Sequence, residues 1–61
     1  MSEAERMFMH RAFIRAKAHI ALVEQELDEA MSLAEGLGAH ELWRRANEAK
    51  YKADKVLREI P

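Results

Sequence analysis

A chain of 61 residues with a formal net charge of −1, 34% charged residues and no cysteine forms one domain at most. That composition excludes disulfide staples and thiolate zinc sites, and its near-neutral balance dictates neither a nucleic acid nor a membrane as partner. Chains this short bury only about 60% of the surface they expose when unfolded, so association is the expected source of further stability.

Near the N-terminus Arg6, Arg11, Arg15 and Lys17 interrupt every apolar run, so no signal peptide is expected. No stretch approaches the roughly 18 apolar residues of a membrane span. The expected setting is cytoplasmic, with which the lack of cysteine agrees. Ser2 with Glu5 three residues later reads as a capping box. It opens a first helix over about residues 3–35. The only glycines, Gly36 and Gly38, bracket Leu37 and mark the one internal break. A second helix is expected over about residues 39–60, before the only proline, Pro61. A turn this short forces the helices antiparallel. The expected fold class is therefore all-α: one coiled-coil-like helical hairpin over residues 1–61, assembling into a bundle as an oligomer.

Both helices carry an apolar seam at alternating three- and four-residue spacing. In the first it is Met9, Phe13, Ala16, Ile20, Val23, Leu27, Ala30, Ala34 and Leu37. In the second it is Ala39, Leu42, Ala46, Ala49, Ala53, Val56 and Ile60. Pairing outward from the turn sets Ala34 against Leu42, Leu27 against Ala49 and Ile20 against Val56. The same register brings Glu24 near Lys50, Glu26 near Lys52, His19 near Glu59 and Met31 near Trp43. Charge follows the same plan: residues 1–19 hold four bases and two acids, residues 20–38 five acids and no base, residues 39–61 six bases and four acids. Within the second helix Glu41–Arg45, Glu48–Lys52 and Asp54–Arg58 have the favourable i, i+4 order.

Two helices cannot enclose a core, and this sequence has more apolar residues than one seam needs. The first helix also outruns the second. Its overhang carries Met7, Phe8, Met9, Phe13 and Ile14, which call for a cover. Self-association into a homo-oligomer is the first expectation. A larger protein partner, met as a helix against a groove, is the second. Arg11 and Arg15 would orient such a contact and Trp43 would anchor it, since Trp and Arg are typical hot spots. If the oligomer uses the overhang, the partner would meet the outer face around Leu22, Arg44 and Tyr51.

Chemistry is not expected. His10 and His19 fall on opposite sides of one helix, and His40-Glu41 starts an HExxH pattern that Arg44 breaks. Glu24, Glu26, Asp28 and Glu29 face basic residues rather than a cleft that would perturb their pKa values. Neither Ser2 nor Ser32 has a histidine at triad-like spacing. No cofactor, metal or catalytic residue is implied. Nucleic acid is the alternative partner, through Arg11, Arg15 and Lys17 or through Arg44, Arg45, Lys50, Lys52, Lys55 and Arg58, but acids alternate with the second set. A membrane-surface helix around Phe8 and Phe13 is disfavoured, because those residues continue the seam.

The architecture resembles the Rop-type hairpin, which pairs into a four-helix bundle; the likeness is one of pattern, with no motif residues to carry over. The expected function is a small non-enzymatic protein–protein interaction module. It would self-associate and act sterically on a larger assembly, as a regulator, inhibitor or adaptor.

Overall fold

The computed structural model describes residues 1–61 and contains two helices, α1 over Glu3–Gly36 and α2 over His40–Glu59. The Ser2 hydroxyl accepts a hydrogen bond from the Glu5 amide at 3.2 Å, one half of the expected capping box. Glu3 and Glu5 sit in the first turn, where carboxylates complement the positive end of the helix dipole. The molecule measures 53 × 15 × 10 Å, with a radius of gyration of 15.6 Å. A compact chain of this length would have one of about 10.5 Å. The hairpin is thus a rod, whose length is that of α1.

The two glycines do different work. Gly36 completes the last turn of α1, and Leu37 is the cap residue. Only Gly38 has a positive φ, of 68°. Its amide donates to the Glu35 carbonyl at 3.1 Å, and the Ala39 amide donates to the Ala34 carbonyl at 2.8 Å. These two bonds form a Schellman motif and satisfy carbonyls that the helix end would leave orphaned. The apolar contact that accompanies this motif falls to Ala39 and Ala34. Ala34, 6% exposed, is the only buried residue in the chain.

α2 returns antiparallel along α1, and the half-buried residues trace the contact. Along α1 they are Phe13, Ala16, Lys17, Ile20, Glu24, Leu27 and Met31, leading to buried Ala34; along α2 they are Ala39, Ala46, Lys50, Ala53, Asp54, Leu57 and Ile60. In heptad letters with Phe13, Ile20, Leu27, Ala34, Ala39, Ala46, Ala53 and Ile60 at a, the seam is built from a and e, with Ala16 the one half-buried residue at d and Asp54 the one at b. The expected seam used a and d. Half of it therefore stands, while Val23, Ala30, Leu42, Ala49 and Val56 are exposed. Their places are taken by the half-buried e residues Lys17, Glu24, Met31, Lys50 and Leu57, while Trp43 in the same row stays exposed near the turn. The physical reason is that longer side chains at e reach across a two-helix gap, and Lys and Glu can lay apolar stems in the seam with their charges at its edge.

Gly36 and Gly38 separate cleanly as tests of this turn. A methyl group at either would meet open space, with nothing within 4 Å, so only backbone conformation distinguishes them. Gly36→Ala should stabilise by about 0.4–1 kcal/mol, because a helical position loses unfolded-state entropy. Gly38→Ala should destabilise by about 1–2 kcal/mol through the left-handed φ. Thermal unfolding at fixed protein concentration measures both. Equal effects would show that the turn is not closed at Gly38.

Candidate interaction surface

In an α-helix, d lies about 60° behind a and e about 40° ahead of it. Two antiparallel helices that share an a/e seam therefore turn both d rows to the same side. The d rows are Met9, Ala16, Val23, Ala30 and Leu37 in α1, and Leu42, Ala49 and Val56 in α2. Together with the a residues from Phe13 to Ile60 they form one face of sixteen positions, every one apolar; the next a position, beside Met9, is Arg6. Val23 is 46%, Leu42 61% and Val56 45% exposed. The surface that periodicity marks as a seam is, over half its width, the open face of the hairpin.

The opposite face is polar. Asp28, Glu35, His40, Asn47 and Asp54 line it at the b positions near the turn and along α2, and the b row continues toward the start of α1 as Ala21, Ile14 and Met7. Lys50 crosses it to bond Asp28, the one ion pair between the helices, at 2.5 Å. Glu24, expected to meet Lys50 directly, lies beside it and keeps one carboxylate oxygen shielded and without a hydrogen-bond partner. The Asp28 hydrogen bond, with the nearby Asp28, Glu24 and Asp54 charges, holds the Lys50 ammonium above the ordinary lysine value of 10.5. Within α2, Glu41 accepts from Arg44 at 2.6 Å and Arg45 at 3.3 Å, and Asp54 pairs with Arg58 at 2.8 Å. Two of the three expected i, i+4 pairs form; Glu48 and Lys52 do not pair. Nor do Glu26 and Lys52, or His19 and Glu59, which sit at g on opposite rims of the apolar face, too far apart to meet within one hairpin.

The accessible surface is 5158 Å². A compact monomer of 7.1 kDa would expose about 4,100 Å². The difference, about 1,000 Å², exceeds the roughly 800 Å² that each partner contributes to a standard interface.

The site residues expected from sequence are not gathered in one patch. Met9 and Phe13, at d and a, continue the apolar face. Met7 and Ile14 fall on the polar side, and Phe8, Arg11 and Arg15 on the back of α1. All of these are exposed except Phe13, which is half-buried at the level where α2 ends. Trp43, 36% exposed, lies near the turn with Ala34, Glu35 and His40 around a shallow depression. It is about 35 Å along the rod from Phe8. Leu22, Arg44 and Tyr51 are exposed on the outer surface. No three His, Asp or Glu side chains cluster as metal ligands, and no helix is long and apolar enough to cross a membrane.

Because folding raises the Lys50 pKa, the Lys50–Asp28 pair contributes stability that is fully present below pH 10.5 and lost as pH rises through the folded value. The stability difference between wild type and Asp28→Asn should thus be constant from neutral pH to about pH 9.5 and shrink above about pH 10.5. Denaturant unfolding across that range measures it, and a difference that persists unchanged at the alkaline end would assign Asp28 another role. No family profile, curated protein sequence or solved structure matches this chain.

Proposed function

We propose that this chain is a small, non-enzymatic protein–protein interaction module. It completes its core by associating with further copies, and as an oligomer it acts sterically on a larger protein, as a regulator, inhibitor or adaptor. The observation that carries this is the unbroken apolar face on a chain with a single buried residue. Soluble proteins rarely leave so large a contiguous apolar patch to water. Once that face is covered, Met7, Phe8, Arg11, Ile14 and Arg15 on the overhang, and Trp43 near the turn, still point elsewhere. They mix aromatic, apolar and Arg side chains as interface hot spots do, and they are the residues a larger partner would meet.

The nucleic-acid alternative has less support. Four of the six basic residues of α2, namely Arg44, Arg45, Lys50 and Arg58, are already engaged by carboxylates. A phosphate backbone would have to displace those acids, and binding would fall steeply with salt.

Sedimentation equilibrium tests the proposal. Wild type should be a dimer or larger, with a melting temperature that rises with concentration. Leu42→Glu/Val56→Glu should weaken association on the order of 100-fold or more, because charges would be buried. In a folded monomer the same exposed positions would tolerate the change within about 0.5 kcal/mol each. Phe8→Asp should leave association intact. A folded, monomeric wild type would overturn self-association and leave the apolar face to a foreign partner.

A further inference from the structure

Resting on the self-association proposed above, the geometry points to a specific pairing: we infer that the apolar face docks on the same face of a second copy with both turns at the same end, so that α1 of each copy lies against α2 of the other. The bundle then has its two-fold axis along the helices, and every neighbouring pair of helices is antiparallel.

Three observations carry this beyond an exposed apolar surface. The first is size. The hairpin exposes about 1,000 Å² more than a compact chain of its mass, and a stable dimer needs about 800 Å² from each copy. The second is shape. Ala16, Ala30, Ala34, Ala46, Ala49 and Ala53 alternate with Ile20, Val23, Leu27, Leu42 and Val56 over the face, so small residues admit close approach and large ones fill the gaps. The third is charge, and it selects the orientation. The rims are the g rows: His19, Glu26 and Leu33 on α1, Arg45, Lys52 and Glu59 on α2. In the same-end arrangement each α1 rim faces an α2 rim of the other copy at the same height. Glu26 then meets Lys52, His19 meets Glu59, and Leu33 meets the stem of Arg45. Neither Glu26 nor Lys52 has an ion-pair partner within its own hairpin. Turning one hairpin end over end, with the paired stretches superposed, sets Glu26 against Glu26 and Lys52 against Lys52 and Arg45. Like charges would then line both rims, a cost that disfavours the wrong orientation.

Leu37, 83% exposed, stands at the turn end of the face, and the chain has no native cysteine to interfere with a label. A spin label on Leu37→Cys in the full chain should report a label separation under roughly 20 Å if the turns share an end. An end-over-end dimer places the labels roughly 30 Å or more apart, given about 1.5 Å per residue. Charge exchange supplies a second readout. Glu26→Lys and Lys52→Glu should each raise the dimer dissociation constant on the order of tenfold, since each change acts twice in the symmetric dimer, and the double variant should return to within about threefold of wild type. A dimer with distant labels and no rescue overturns this pairing but leaves self-association standing. A wild type that sediments as a monomer overturns both.

Discussion

The structure depends on the chain reversal at Gly38. A left-handed residue placed two beyond the last turn of α1 lets the Gly38 and Ala39 amides close onto Glu35 and Ala34, and it sends α2 back along α1. Once two helices run antiparallel with the same heptad phase, their mirror relation decides everything lateral. The a rows face one another across the gap, the e rows close one side of the seam, and both d rows emerge together on the other side. A parallel pair would have put its d rows on opposite sides and left no continuous face.

The row at a consequently belongs to two environments at once. Ile20, Leu27, Ala46 and Ala53 are half-buried by the partner helix and half-open to the face beside Val23, Leu42 and Val56. A helix in a bundle contacts two neighbours and needs an apolar stripe wider than the narrow seam of a two-stranded coil. Here the stripe has that width, and one hairpin covers only part of it. The polar side shows the complementary economy. Lys50 and Asp28 tie the helices where no apolar side chain reaches, and the exposed pairs within α2 add small increments that salt would screen.

Size enforces the same conclusion by another route. The unfolded chain would expose about 10,300 Å², and folding into the isolated hairpin removes about half of it. That is less than a globular chain of this length achieves, and only Ala34, 6% exposed, is buried. A structure so thin gains little from its own packing, and its open face is where further apolar area can be buried. The proposed association through this face, with Phe8, Arg11, Arg15 and Trp43 directed elsewhere, follows from that imbalance.

Much of this was legible in the sequence, because local physics dictates it. Helix-forming residues, Ser2 at the start and a pair of glycines in three positions define two helices and an antiparallel return, with bounds that the structure moves by no more than a residue. The i, i+4 pairs Glu41–Arg45 and Asp54–Arg58 depend only on helical pitch. Which side of each helix meets its partner was not legible. An a/d pattern and an a/e seam share the a row, so periodicity cannot say whether the neighbouring helix lies ahead of that row or behind it. Tertiary packing decided for e, with the reach of Met31, Lys50 and Leu57 across the gap. That choice exposed Val23, Leu42 and Val56, moved Lys50 onto Asp28, and split Glu26 from Lys52 across the apolar face. It also scattered the overhang residues, because Met7, Phe8, Met9 and Arg11 are neighbours in sequence but project about 100° apart per residue around a helix that nothing else in the chain covers.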